Sequence, residues 1–211
     1  MQQPSDTNPT ILKAGKLSLD ALQRLLHGIR KSPRVVVGSG IGSDAAVIDF
    51  AEKTDRLLVA KTDPITFATD RIGWYAVHIN ANDIVCMGGE PAWFLATILV
   101  PTGSEEGLVA TIFDQIQQAC DSLEVALVGG HTEVALGIER PLVIGCMLGE
   151  VARSSLISPG SASVGDLLVL THPIAIEGTA ILAREVPHKL RDAGVCQEII
   201  ERASRMLDDP G

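Results

Sequence analysis

Cysteine is scarce in this chain, and no two cysteines are close in sequence. Cys86, Cys120, Cys146 and Cys196 stand far apart in apolar surroundings. No C-x-x-C spacing offers a zinc site or a redox couple, so buried, reduced thiols are expected. Lysine and arginine never form a run, and the net charge is −9. That balance excludes an electrostatic nucleic-acid binder. No apolar stretch approaches the ~18 residues needed to cross a bilayer, which argues against a membrane protein. The opening Met1-Gln2-Gln3-Pro4-Ser5-Asp6 lacks a basic region followed by an apolar core, so no signal peptide is expected. Two common nucleotide signatures are missing as well: G-x-x-x-x-G-K-[ST], and G-x-G-x-x-G joining a strand to a helix. The expectation is an acidic, cytoplasmic, globular protein. Its 211 residues, 46% hydrophobic and 20% charged, are enough for one or two domains.

The pattern along the chain predicts an α+β architecture. Residues 1–16 read as a polar arm. Ser18 can cap a helix with Leu19, Leu22, Leu25, Leu26 and Ile29 on one face, ended by Pro33. Val35–Val37 is extended. Ala45–Phe50 and Leu57–Lys61 read as paired strands about a Glu52-Lys53-Thr54-Asp55 turn. Thr69 or Asp70 opens a long helix to about Met87, stopped by Gly88-Gly89. Ala92–Val100 is a strand. Ser104 begins a helix burying Leu108, Ile112, Phe113, Ile116 and Cys120. Leu123–Val128 and Pro141–Val151 are further strands. Trp74 and Trp93 read as core residues. The chain divides into an arm and helix (1–33), a first domain (34–152), a linker rich in Ser, Gly and Pro (153–163) and a second part (164–211). That last part shows a strand at Val164–Leu170 and helices at Ile176–Val186 and 188–208. One strand cannot build a covered sheet, so the second α/β domain reads as incomplete and loosely held.

Four short motifs carry the candidate chemistry. They are Gly40-Ile41-Gly42-Ser43-Asp44-Ala45-Ala46, Lys61-Thr62-Asp63-Pro64, Asn80-Ala81-Asn82-Asp83 and Gly129-Gly130-His131-Thr132-Glu133. Each puts an acid where an apolar element meets a loop. Carboxylates beside glycine turns suit Mg²⁺, which takes oxygen ligands and bridges to nucleotide phosphates. Asp44 also suits an Asx-turn. Lys61 and Asp63 share one face of a strand, an arrangement that fits either a polyphosphate or a plain salt bridge. Asn80, Asn82 and Asp83 interrupt an apolar helix in which Asn and Asp are poor helix formers. Asn80 and Asp83, three apart, share a face, as ligand contacts or as a satisfied hydrogen-bond network. Gly129 and Gly130 would let backbone approach a ligand.

In this order the motifs G-x-x-D-A-A, T-D, N-D-x-x-x-M-G and G-G-x-T-E resemble the PurM-like superfamily over about residues 11–186. That superfamily includes aminoimidazole ribonucleotide synthase, thiamine-monophosphate kinase, selenophosphate synthetase and the hydrogenase-maturation protein HypE. The similarity is greatest to HypE-like, AIR synthase-related proteins, through Lys61–Phe67 and Gly129–Glu133. The resemblance implies a PurM-like N-terminal domain whose mixed sheet is shared in a dimer barrel, followed by a partial C-terminal domain. It implies ATP with Mg²⁺, a homodimer, and phosphorylation of an amide, acyl or phosphate oxygen of a small-molecule substrate. By position, Asp44, Asp63 and Asp83 match the acidic residues around the metal. Lys61, Asn80, Asn82 and the segment Gly129, Gly130, His131, Thr132, Glu133 match the nucleotide side. Ser43 stands where kinase-like members carry a second Asp, and His131 replaces the Asp of G-G-D-T. Thr171–Gly178 lies where relatives have a more glycine-rich loop. The alternatives are a non-catalytic nucleotide-binding scaffold and a kinase like that of thiamine monophosphate.

Overall fold

The computed structural model describes residues 15–208, apart from Lys31, Glu52, Lys53, Phe67, Thr69, Thr171 and His172. The arm expected over 1–16 therefore lies almost wholly outside the described residues. So do the centre of the 52–55 turn, the Thr69 helix start and Phe67 of the strand motif.

One mixed sheet organises the chain. Its strands are β1 (Val35–Val37), β2 (Ala46–Ile48), β3 (Arg56–Ile65), β4 (Glu90–Pro101), β5 (Ala126–Ala135) and β6 (Leu142–Ala152), in the order β1-β2-β3-β6-β4-β5. The β2–β3 pairing expected from sequence forms, with Ala46 opposite Ala60 and Ile48 opposite Leu58. Only β4 and β5 run parallel, as a helical crossover between them requires. Five helices accompany the sheet beyond α1 (Leu19–Leu26): α2 (Ile72–Cys86), α3 (Glu106–Ser122), α4 (Ile176–Glu185), α5 (Pro187–Asp192) and α6 (Gln197–Ser204).

Alternation along the strands explains the layering. On β6, Val143, Met147 and Val151 are buried, and on β4 Phe94, Ile98 and Val100 are. These side chains face α2 and α3, and each large one contributes about 1.5–3 kcal/mol by leaving water. α3 buries Ile112, Ile116, Ala119 and Cys120, the helical spacing expected. α2 is apolar nearly all round because it is covered by the sheet on one side and α3 on the other. The opposite face of the sheet is apolar too: Leu58, Trp93, Leu95, Leu99, Leu142, Ile144 and Leu148 are only partly buried there.

Several expectations are corrected. The strand at Val164–Leu170 does not form: Val164 is 109% exposed and Leu168 104%. No described strand pairs with this segment, and a lone strand leaves its backbone groups to water. The helix expected over 188–208 is broken at Ala193-Gly194 into α5 and α6, followed by a 3₁₀ turn, Arg205–Asp208. Ser18 does cap α1, its Oγ accepting from the Ala21 N–H at 3.3 Å. No residue of α1 is buried, however, so its apolar face has no cover among the described residues. Trp93 lies on the open face of the sheet. Trp74 packs at the edge of the core, with the His78 ring stacked on it at 3.8 Å and Arg71 5.0 Å from its centroid. Of the cysteines, Cys120 is buried, with burial pushing its thiol up to about 11, whereas Cys86 and Cys196 are exposed.

Gly145 permits a close contact in the core. A Cβ there would fall 2.4 Å from Asn80 Nδ2 and 2.8 Å from the Phe94 ring, both immobile. Gly145→Ala is expected to cost about 1–3 kcal/mol, as overpacking does. Gly107→Ala, in the first turn of α3 with open space around it, should instead stabilise by up to about 1 kcal/mol. Urea unfolding of both variants checks the contrast.

Candidate functional site

The site is built where β3 outruns its neighbour. β2 stops pairing at Ala60, so beyond it β3 lacks a partner strand on that side. Asn80 of α2 takes the partner's place. Its Oδ1 accepts the Asp63 N–H at 2.9 Å, and its Nδ2 donates to the Asp63 carbonyl at 3.3 Å and to the Ala76 carbonyl at 2.8 Å. Asn80 is completely buried, the one buried polar residue among those described. All its hydrogen bonds run inward, so its position is that of a brace, the hydrogen-bond network that was one of its two sequence readings. Losing it would leave the Asp63 N–H unsatisfied, at about 1–3 kcal/mol.

This brace sets Asp63 beside Lys61 on the helix-covered face. Lys61 Nζ lies 2.8 Å from Asp83 Oδ2 and 3.4 Å from Asp63 Oδ2. Burial pulls the Lys61 ammonium down, but the hydrogen bond and charge of Asp83, then Asp63, outweigh it, and the net direction is up. Burial pushes the Asp83 carboxyl up; Lys61 opposes that, while Asp63 and Asp44 add to it. Asp44, half-buried just before β2, is thus close enough to act on Asp83 and on Cys86. Cys86 is an exposed residue, yet partial desolvation of its thiol, with Asp44 and Asp83, pushes the thiol up, so it is not an activated thiolate. Asn82 is exposed.

Lys61, Asp44, Asp63 and Asp83 therefore gather. The 129–133 segment does not join them. It is not a loop after a strand: all five residues lie inside β5, at the sheet edge. Asp63 and Gly130 stand in one row of the sheet, through Gly145 and Ala96, three strands apart. At ~4.8 Å per strand that is roughly 14 Å. His131 and Glu133, with His131 Nε2 3.2 Å from Glu133 Oε2, pair with Thr97 and Leu99 and so point to the opposite, open face. Gly130 serves packing: a Cβ there would meet the Ala96 carbonyl oxygen at 1.9 Å. A carboxylate outside the four sequence motifs, Glu177 in the first turn of α4, is half-buried. Burial pushes its carboxyl up, Lys16 opposes that, and Asp63 adds to it. No signal in the sequence spacing links it to Asp63.

The donors are carboxylate oxygens, which suit a hard cation such as Mg²⁺. Among the described residues no three acidic, His or Cys side chains converge enough to hold a metal by themselves. Lys61 occupies the position between Asp63 and Asp83. One or two carboxylates completed by phosphate oxygens and water is the coordination this arrangement can offer.

The sequence profile "AIR synthase related protein, N-terminal domain" matches residues 42–151. The chain belongs to that family. Among curated AIR synthase relatives it is 28% identical over 170 residues to a phosphoribosylformylglycinamidine cyclo-ligase of Lachnoclostridium phytofermentans, covering 75% of this chain and 50% of the relative. It is 30% identical over 171 residues to a thiamine-monophosphate kinase of Rhodopirellula baltica, covering 74% and 51%. The chain thus spans about half the length of the curated relatives it matches. In fold it is similar to the tt0281 structure from Thermus thermophilus, with a TM-score of 0.70 at 22% identity, over 90% of this chain and 60% of that one. The PurM-like resemblance and the mixed-sheet fold expected from it are borne out.

Removing Lys61 tests the electrostatics. In Lys61→Met, Asp83 loses the group that opposes its upward shift. A carboxyl raised above its ordinary 3.8 contributes stability that is full below that value and is lost as pH rises through the folded pKa. Lys61→Met is therefore expected to lose stability relative to wild type between pH 4 and pH 7, by about 1–2 kcal/mol. Urea unfolding at the two pH values measures this; an equal loss at both would contradict it.

Proposed function

We propose that this chain is the N-terminal, nucleotide-handling part of an ATP- and Mg²⁺-dependent enzyme that phosphorylates an amide, acyl or phosphate oxygen of a small molecule. The Lys61–Asp63–Asp83 cluster carries the reading: an ammonium bracketed by two carboxylates, on a strand end braced by Asn80. ATP supplies the phosphoryl group, and Mg²⁺ offsets the charge of its phosphates. Asp63 and Asp83, with Asp44 behind them, would hold the cation. That exchange would free the Lys61 ammonium for a phosphate oxygen. The braced backbone keeps Asp63 oriented without reorganisation, and exposed Asn82 stands at the rim of the nucleotide side. The names of the two curated relatives support the substrate class, since each contains a phosphorylated small molecule.

The reading includes a homodimer. The partly buried apolar face of the sheet and the edge of β5, unpaired among the described residues, with Val128 and Val134 more than half exposed, favour cover by a second copy. A partner is also the route by which His131, Thr132 and Glu133 could reach a nucleotide, because in one chain they lie roughly 14 Å from Asp63 by strand spacing. Sedimentation equilibrium at micromolar concentration should return twice the chain mass, and a clean monomer would remove this part. A second reading, a non-catalytic nucleotide-binding scaffold, draws support from Ser43 and His131 at positions where kinase-like members carry Asp. A thiamine-monophosphate-kinase-like activity draws its support from the Rhodopirellula relative.

Calorimetric titration with Mg²⁺-ATP tests the nucleotide and cation assignment, and ATP consumption on candidate phosphate esters separates the kinase reading from the others. Asp63→Asn and Asp83→Asn should each weaken binding by about 1–3 kcal/mol, while the exposed control Asp55→Asn should not. Thermal melts alongside should show the metal-free variants as stable as wild type or more so, because one repelling charge is gone. Wild-type binding that is undetectable at millimolar Mg²⁺-ATP would remove the enzyme reading. Binding unchanged by both substitutions would remove the cation assignment.

A further inference from the structure

Two parts of this chain lack a partner, and each has what the other needs. The first is the outer edge of β5. This strand ends the sheet order, so one side of its backbone pairs with no strand among the described residues. It carries neither lysine nor proline, the residues that commonly blunt an exposed edge. Gly129 and Gly130 leave its middle without side chains. Beside this edge, on the helix-covered face, a cleft of about 460 Å³ opens between α3 and β5, and Ile98, Phe113, Ile116, Leu127 and Thr132 are among its walls. On the other face, beyond His131 and Glu133, lies the apolar row of Leu95 and Leu99. A strand added to β5 would send one row of side chains into the cleft and the other over the open sheet.

The second part is Val164–Leu170. A turn closed by the Ser163 N–H on Asp166 Oδ2, at 2.8 Å, leads into Leu167-Leu168-Val169-Leu170. The five apolar side chains of the segment are between 71% and 109% exposed. A continuous apolar run of this kind suits a strand covered on both faces, not a solvated loop. The segment is held on either side. Before it, the Ile157 N–H donates to the Met87 carbonyl at 3.0 Å, and after it Ala180 of α4 is buried in the core. It is thus an arm on a fixed base. At 3.3 Å per residue its length is about 23 Å, within the roughly 33 Å of β5. In its own chain the arm pairs with no strand.

We propose that two copies of this chain exchange these arms, Val164–Leu170 of each pairing with the free edge of β5 in the other. The inference rests on the homodimer reading and names the segments that make the contact. Main-chain hydrogen bonds join the arm to the edge, and alternate side chains of the arm fill the cleft. Exchange is reciprocal because every copy brings one arm and one edge, so a two-fold pair leaves neither uncovered. The apolar side chains of one arm and the groove that receives them bury on the order of 800 Å². Two arms then reach roughly 1,600 Å², the size of a standard stable interface.

The test is sedimentation equilibrium of the full chain over a range of micromolar concentrations. The arm variant is Leu168→Lys with Val169→Lys, and the edge variant is Val128→Lys with Val134→Lys. All four residues are more than half exposed, so each variant should keep the wild-type circular dichroism and urea midpoint. Each alone should self-associate about 10-fold more weakly than wild type or worse, because a lysine would be buried without a partner. Ile199→Lys, on α6 away from both segments, should match wild type. An equimolar mixture of the arm and edge variants should associate about 10-fold more tightly than either alone, because the intact arm of one meets the intact edge of the other. A mixture no tighter than its components would overturn the exchange. So would an arm variant that dimerises like wild type, and in that case the homodimer reading stands without it. A monomeric wild type would remove both.

Discussion

The buried amide of Asn80 is the contact on which the candidate site depends. β3 runs past the end of β2, and its backbone at Asp63 would otherwise have no partner on that side. Asn80 supplies both a donor and an acceptor there, and a third bond returns to its own helix at Ala76. A polar group this deeply buried is tolerated only when fully satisfied. The consequence is positional: α2 and the end of β3 become one rigid piece. Asp83, one turn further along α2, is thereby held within 2.8 Å of Lys61. Gly145 belongs to the same device, because only a residue without a Cβ leaves room for the Asn80 amide.

The electrostatics of the cluster follow from that rigidity. Lys61 is shared between two carboxylates, and Asp44 adds further negative potential. The ammonium screens an acidic group that would otherwise repel itself. In the structure the lysine lies between the carboxylates; under the proposed function a divalent cation would take that place and the lysine would turn to phosphate. The C-terminal helices enter through the Arg184–Asp70 pair, which couples α4 to the start of the same α2.

Much of this is legible in the sequence. The helical spacing of Ile112, Ile116 and Cys120, and the paired strands of 46–60, report local patterning that tertiary contacts do not override. Asn80 and Asp83 stand out because polar groups are costly in an apolar helix. Their different fates, one sealed inward and one turned to Lys61, cannot be read there, because both readings satisfy the same spacing. The Gly129–Glu133 segment reads as a loop and is a strand. Two adjacent glycines usually end a strand, but here the close approach of β5 to Ala96 requires one of them. Val164–Leu170 reads as a strand and is none, because its residues have strand propensity but no neighbour to complete the ladder.

By itself, then, the order of acidic motifs determined the family, since the residue types that make up its pattern are written in the chain. The tertiary structure alone decided which of them meet. Strand register put Lys61 and Asp63 on the helix-covered face and His131 and Glu133 on the other. Packing also brought Arg184 onto Asp70, more than a hundred residues apart along the chain. The reason is physical. Side-chain identity is local, but a charge acts through distance in space, and that distance is set by packing.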